Sequence, residues 1–202
     1  MKKAFCALAV SCLGIGMTVA AFSGCASEEE LFAKATDNFN NYTAEIHIAY
    51  SNGGDDYNVV LMVDGAKGKL DILQDEGGAD TRYFKEDRGS VFSYSAEDKE
   101  WIKSNAGSTI EEATAAYNGY IFLFQNIFYD DFEKQDDYLV AGESLLNSFS
   151  EQYGMDISSA RVKLDGDKFV SGTVVLEYFT DVRMQVNYTF KNYGGTKVDL
   201  PE

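Results

Sequence analysis

The sequence AEIHIAYSNGGDDYNVVLMV, residues 44–63, decides the fold class of this chain. In its first part Ile46, Ile48 and Tyr50 occupy every second position, and after the sequence NGGD the same alternation returns over residues 57–63. A period of two residues is typical of a β-strand that buries one face, and a glycine-rich polar sequence between two such runs is typical of a turn. The stretch therefore predicts two antiparallel strands joined by a tight turn.

Comparable alternating runs extend this pattern along the chain. Seven further strands are predicted on either side of a central helical region, at residues 68–74, 81–86, 90–95, 100–104, 159–164, 169–179 and 181–190. Short sequences rich in glycine and acidic residues separate the first four of these runs, as expected for turns. Short strands joined by tight turns predict an antiparallel meander.

Three segments have the apolar spacing of helices. The first follows Ser27, a candidate N-cap in front of three glutamates, and runs towards Phe39. The second is predicted over residues 110–128, after a candidate capping box at residues 108–111. The third covers residues 143–153 and ends at a glycine. The second half of the 110–128 helix is apolar almost all round, which indicates a buried helix or one that touches an apolar partner besides its own core.

The order of these elements predicts the architecture. A helix, six strands, further helices and at least three more strands follow one another, without an internal repeat or an interdomain linker. This order predicts a single α+β domain over residues 31–202, with one curved antiparallel sheet and helices packed on one of its faces.

The N-terminal segment is predicted to be a secretory signal peptide over residues 1–24. Two lysines precede an uncharged run over residues 4–22, and small residues follow directly before Cys25. A basic start, an apolar run and small residues at the cleavage site are the parts of such a signal. A transmembrane helix is the alternative, but the glycines within the run and the acidic residues 28–30 behind it disfavour a membrane span.

The sequence AFSGC at residues 21–25 resembles a bacterial lipobox, although Phe22 stands where leucine is usual. The resemblance implies that the Cys25 thiol receives diacylglycerol, with acyl chains such as palmitate, and that the bond before it is cut. Two acyl chains anchor a protein stably where one does not. Residues 25–30 are then a lipidated cysteine and a short tether, and the domain lies outside the cytoplasm on the bacterial cell membrane. Ordinary secretion, with Cys25 an incidental thiol, is the alternative.

Composition excludes several classes of function. The formal net charge is −16, from 17 Lys and Arg against 33 Asp and Glu, and such a chain repels the phosphates of nucleic acids. Cys25 is the only cysteine beyond the predicted signal peptide, which leaves no internal disulfide, thiolate nucleophile or zinc site.

His47 is the only histidine, so a histidine-based triad is excluded, and this side chain is expected to be half-exposed on the first strand. Trp101 is expected in the core. We predict no enzyme, no catalytic residue, no metal and no cofactor.

Three stretches resemble the LolA/LppX-like group of bacterial lipoprotein and lipid carriers. They are the first helix leading into Asn41-Tyr42-Thr43, the sheet segment around Tyr83, Tyr94 and Trp101, and the closing residues 188–201. The resemblance implies an open half-barrel sheet whose concave face is covered by helices. It also implies that an acyl chain, a glycolipid or a lipoprotein binds between the sheet and the helices.

The predicted function is that of a membrane-anchored lipoprotein that binds a hydrophobic molecule between the sheet and the 110–128 helix. Candidate ligand-binding residues are apolar and aromatic side chains of this helix and of the facing strands: Tyr117, Tyr120, Ile121, Phe124, Phe128, Leu61 and Met184. The expected partners are the membrane, through acyl chains on Cys25, and a lipid or lipoprotein ligand; the chain is expected to be a monomer. The alternative is a cell-surface interaction or sensor module without a ligand cavity.

Overall fold

The structure is a computed structural model that describes residues 26–202, except residues 55, 66–68, 76–79, 106, 108, 126 and 180–181. At residues 69–75, 80, 111, 116, 122, 178 and 179 it describes the backbone alone. The predicted signal peptide and Cys25 lie outside the described residues. Among the helices of the described part, none combines the length and the apolar character that a membrane span requires.

Within the described residues, eleven strands form one antiparallel sheet. Their bounds are β1 Asn41–Tyr50, β2 Tyr57–Asp64, β3 Lys69–Asp75, β4 Asp80–Asp87, β5 Ser90–Ser95, β6 Glu100–Lys103, β7 Phe132–Gln135, β8 Tyr138–Ala141, β9 Asp156–Asp165, β10 Lys168–Phe179 and β11 Val182–Lys191. Across the sheet they lie in the order β6-β5-β4-β3-β2-β1-β11-β10-β9-β8-β7. The first and last strands pair at the centre, where Ile46 lies opposite Tyr188. Within the described residues β6 and β7 are the two edges, so the curved sheet stays open.

In the described part of the chain, four short helices accompany the sheet: α1 Glu28–Asp37, α2 Ile110–Ala113, α3 Ala115–Asn118 and α4 Glu143–Tyr153. Two 3₁₀ turns, Ile121–Phe124 and Tyr129–Asp131, lie between α3 and β7. Helix α4 matches its predicted range, and Gly154 ends it in the left-handed conformation at φ 65°. Helix α2 begins after Thr109, whose hydroxyl accepts the Glu112 N–H at 3.2 Å; Ser108, the expected cap, is outside the described residues.

The predicted start of α1 is confirmed. The Ser27 hydroxyl accepts the Glu30 N–H, and the Glu30 carboxylate accepts the Ser27 N–H, each at 3.1 Å. This reciprocal capping box satisfies two donors that the first turn of a helix leaves unpaired, and the three glutamates of that turn complement the helix dipole. The helix therefore begins only a few residues after Cys25 in the chain.

The predicted fold class is confirmed: the domain is α+β, a half-barrel with helices on its concave face. Buried and more exposed residues alternate along β11, where Met184, Val186, Tyr188 and Phe190 are buried. Helix α1 and the 3₁₀ turn Ile121–Phe124 pack onto this same face. The Phe32 ring lies 5.6 Å from that of Phe169, and the Phe124 ring lies 5.0 Å from that of Tyr188. One continuous apolar core thus joins the sheet and its cover.

The prediction of one helix over residues 110–128 is wrong, because the segment breaks after α3. The side-chain oxygen of Asn118 accepts the N–H groups of Tyr120 at 2.9 Å and Ile121 at 3.3 Å. Asparagine side chains compete in this way with the helical ladder. Gly119 and Tyr120 then both have positive φ, at 61° and 65°, a left-handed conformation that ends the helix.

Strands β7 and β8 form a hairpin that the sequence pattern did not predict. Each strand has only four residues, which is too short for a period of two to stand out. Asp136, at the turn, has a φ of 54°. Leu139 and Ala141 of β8 are buried in the core, and Leu139 pairs with Val162 of β9. The hairpin adds the last edge to the sheet.

Candidate functional site

The structure divides the seven predicted ligand-binding residues between core and surface. Four of them belong to the buried core and are at most 3% exposed: Leu61, Ile121, Phe124 and Met184. Tyr117 and Tyr120 are half-buried against that core. Phe128 is 72% exposed. In the described part of the chain, the other large apolar side chain that is exposed is Ile102, at 45%. The predicted set therefore does not line one common space.

Phe124 shows how closely part of the 110–128 segment packs onto the sheet. A Cβ atom placed on Gly172 of β10 would lie only 2.9 Å from Phe124 Cζ, so the ring lies directly on the sheet backbone. Its ring also packs edge-on against Tyr188 and Phe190, with centroids 5.0 Å and 5.9 Å away. At Phe124 the protein's own side chains therefore fill the space between this segment and the sheet.

An open groove of about 300 Å³ lies instead beside α1, between this helix and residues 127–130. We call it the α1 groove. Its lining consists of Glu29, Phe32, Ala33, Thr36, Asp37, Ile127, Phe128, Tyr129 and Asp130. Of the predicted residues, Phe128 is the one that lines it. A second open space, lined in part by Thr36 and Asp37 as well, continues along α1 towards Phe39 and Val63.

Local hydrogen bonding holds Phe128 at the surface. Its backbone is extended, and its N–H donates to the Asp131 carboxylate at 3.1 Å at the start of the 3₁₀ turn. Ile127, directly before it, is buried and anchors the segment to the core. A buried residue followed by an exposed one is the usual alternation of extended backbone, so the Phe128 ring is directed away from the core beside α1.

A polar network ties α1 to the opposite wall of the groove. The Glu28 carboxylate accepts the Tyr129 hydroxyl at 3.0 Å and the Lys134 ammonium at 2.6 Å. The hydrogen bond from Lys134 lowers the pKa of Glu28, and the hydrogen bond to Glu28 raises the pKa of Tyr129. The first turn of α1, the 127–130 segment and strand β7 are thereby joined at one place beside the groove.

The groove has an apolar floor and an acidic rim. Phe32 and Ile127 are buried at its base, while Ala33 and Phe128 are exposed on its sides. The rim carries the exposed carboxylates of Glu29, Asp37 and Asp130, and none of the described lining residues is a lysine or an arginine. The apolar floor suits the binding of an apolar group. In the described part of the chain, no three metal-ligating side chains come together as a possible metal site.

Two other residues singled out from the sequence lie on the face of the sheet away from the helices. His47 is exposed on β1 as predicted, with Nδ1 3.1 Å from the Asn58 side-chain oxygen. The expectation that Trp101 is a core residue is wrong. Its half-buried ring stacks under the Lys85 ammonium at 4.0 Å and beside the Tyr94 ring at 5.4 Å, because its position in β6 faces outward.

Sequence reasoning missed most of the α1 groove. Phe32 falls within the first predicted helix, but nothing along the chain shows that residues 127–130 come to lie beside that helix. Asn118-Gly119 is the signal that could have indicated a helix end in the 110–128 segment. A predicted helix that ended there would not have included Ile127 and Phe128.

The chain matches no known protein family model, and no curated protein matches it. Among solved structures it is similar to LprF from Mycobacterium bovis, with 8% sequence identity, a TM-score of 0.38, and coverage of 86% of this chain and 95% of that one. It is similar to a LolA superfamily protein from Nitrosomonas europaea, with 9% identity, a TM-score of 0.37, and coverage of 85% and 93%. It is also similar to the lipoprotein LppX from Mycobacterium tuberculosis, with 11% identity, a TM-score of 0.39, and coverage of 87% and 100%.

Proposed function

We propose that this protein is an extracytoplasmic lipoprotein, anchored to the cell membrane through acyl chains on Cys25, which binds a hydrophobic ligand in the α1 groove. Binding rather than catalysis is its role, and residues 31–202 form the binding domain. The observation that carries the proposal is the exposed Phe128 ring beside an open, apolar-floored groove. A cleft with an apolar lining and a few polar groups at its edge is the usual form of a small-molecule binding site.

The position of the groove supports this assignment. Glu29 in its lining is four residues after Cys25 in the sequence, and an extended chain spans about 3.5 Å per residue. A lipidated Cys25 would therefore keep the groove close to the bilayer. A short distance between the groove and the bilayer favours transfer of a hydrophobic ligand, because a longer path would expose its apolar surface to water.

The alternative is an interaction module without a ligand cavity, and one observation favours it. Ile121 and Phe124, both predicted to contact a ligand, are buried in a filled core. Under this alternative, Phe128 belongs to a contact surface for another protein. The two functions differ in whether a small hydrophobic molecule accompanies the purified protein.

The experiment is lipid extraction and mass spectrometry on the mature chain, residues 25–202 carrying Cys25→Ser, purified from a bacterial host without detergent. All described helices and strands begin after residue 25, so this chain retains them. We expect lipid at a constant ratio to protein and a clear loss of it in Phe128→Ser. Ile102→Ser is the matched control, because Ile102 is also exposed, at 45%, but lies on the edge strand β6.

Equal lipid content in both variants and the parent chain would place any ligand outside the α1 groove. Protein free of lipid in all three would favour the interaction module. Circular dichroism and thermal unfolding of the same samples verify that the variants keep the parent fold.

A further inference from the structure

We propose that the α1 groove selects hydrophobic ligands that carry a positively charged group, such as the ammonium of an alkylamine. This inference rests on the proposed function, since it narrows the class of ligand that the same groove takes. It depends on the charges around the groove rather than on its apolar floor.

Among the described residues that line the groove, three carry carboxylates and none is a lysine or an arginine. Glu29 and Asp37 lie on α1, and Asp130 lies on the opposite wall. All three are exposed and show no ion pair within the described part of the chain. They therefore remain available to a bound cation.

The lysines nearest in sequence do not neutralise this rim. The Lys134 ammonium is 2.6 Å from the Glu28 carboxylate and is therefore paired with that residue. Lys34 follows Ala33 on α1 but is not part of the groove lining. A ligand with a carboxylate or phosphate end would meet carboxylates on both walls, whereas an ammonium would find opposite charges at the same places.

The apolar floor and the acidic rim of the groove together define the class of ligand. An alkyl chain covers Phe32, Ile127 and Phe128, and its charged end reaches the rim. Exposed ion pairs are individually weak, so several rim carboxylates acting together are expected to change affinity by about tenfold between ammonium and carboxylate ends. The strong negative charge of the whole chain also attracts cations, and the experiment must separate that general effect from the local one.

The test compares three probes with the same alkyl chain, dodecyltrimethylammonium, dodecanoate and dodecanol, below their micelle concentrations. Their affinities for the mature chain with Cys25→Ser are measured by isothermal titration calorimetry. We expect the ammonium probe to bind about tenfold more tightly than dodecanoate, with dodecanol between them and with a smaller difference at high salt. Phe128→Ser, which leaves the net charge unchanged, should weaken all three.

Two charge-reversal variants identify the origin of the preference. Glu29→Lys with Asp130→Lys should reverse the order of the charged probes. Glu151→Lys with Asp199→Lys changes the net charge by the same amount at exposed positions outside the groove, and should keep the order. A reversal in this control, or a preserved order in the groove variant, overturns the inference.

The remaining outcomes distinguish the inference from the proposed function. Equal affinity for all three probes, with loss in Phe128→Ser, leaves a hydrophobic groove and overturns only the charge selection. Failure of every probe to bind overturns both.

Discussion

The Tyr188 hydroxyl, buried in the middle of the sheet, donates a hydrogen bond to the main-chain carbonyl oxygen of Gly119. Gly119 is the residue at which the helical segment breaks, and a Cβ atom there would lie 2.5 Å from Val186 Cγ1. The break is therefore seated directly on β11 and fixed by a side chain of that strand. This contact sets the course of the chain that leads to Ile127 and Phe128 at the α1 groove.

Tyr188→Phe is expected to destabilise the fold by about 1–2 kcal/mol, because a buried carbonyl loses its donor. Burial raises the pKa of Tyr188 well above its ordinary value. Because the folded pKa is raised, the contribution of Tyr188 to the free energy of unfolding is fully present below the unfolded pKa of tyrosine, about 10. This contribution is lost as the pH rises from that value through the folded pKa. Denaturant unfolding between neutral and alkaline pH should show a shallower alkaline decline in Tyr188→Phe. An unchanged slope would contradict the assignment.

Phe124 and Phe128 should separate stability from binding. Phe124→Ala removes a ring that is 3% exposed and is expected to lower the free energy of unfolding by about 3–5 kcal/mol. Phe128→Ala removes one that is 72% exposed, and its effect should remain within about 0.5 kcal/mol. Chemical denaturation of both variants measures this contrast. Similar losses in the two would show that Phe128 is part of the core.

Gly172→Val is expected to destabilise the domain without any change of charge. The added side chain would begin 2.9 Å from Phe124 Cζ and 3.2 Å from the Arg161 carbonyl oxygen, and overpacking of a filled core costs about 1–3 kcal/mol. Thermal unfolding of Gly172→Val beside Gly166→Val provides the comparison. Gly166 has a positive φ but open space around its Cβ position, so its cost comes from the backbone alone.

The Glu28 network should make α1 sensitive to acid. The pKa of Glu28 is lowered, first by its hydrogen bond with Lys134, so its stabilisation is present above the unfolded pKa of glutamate, about 4.3. This contribution is lost as the pH falls through the lower folded pKa. Glu28→Gln should flatten the acid decline of the free energy of unfolding more than Glu29→Gln does, since Glu29 shows no ion pair in the described part of the chain. Equal slopes would contradict the network.

Cys25 is expected to carry the membrane anchor. Cys25→Ser should abolish incorporation of labelled palmitate in cells and block removal of the signal peptide. Cys6→Ser, within the predicted signal peptide, should retain both. Labelling that persists in Cys25→Ser would assign the lipid to another residue.

Patterns within single segments were enough to predict much of this fold. The alternation at Ile46 and Ile48 identified β1, and the sequence from Ser27 to Glu30 identified the start of α1. Both signals arise within a few residues of chain, from the period of two and from side-chain capping of free N–H groups. The four-residue strands β7 and β8 lacked such a signal, because too few positions repeat in them.

By itself, the sequence determined the class of the domain, the position of most strands and the acidic character of the surface, because periodicity and charge are properties of the chain. Only the tertiary structure decided which apolar residues are core and which are free. Phe124 and Phe128 lie only four residues apart in the sequence, yet one lies on Gly172 and the other is exposed beside α1. The difference arises from long-range packing. The helical segment ends at Gly119, and the hydrogen bond from Tyr188 fixes the position of this residue on the sheet and so the course of the chain that follows.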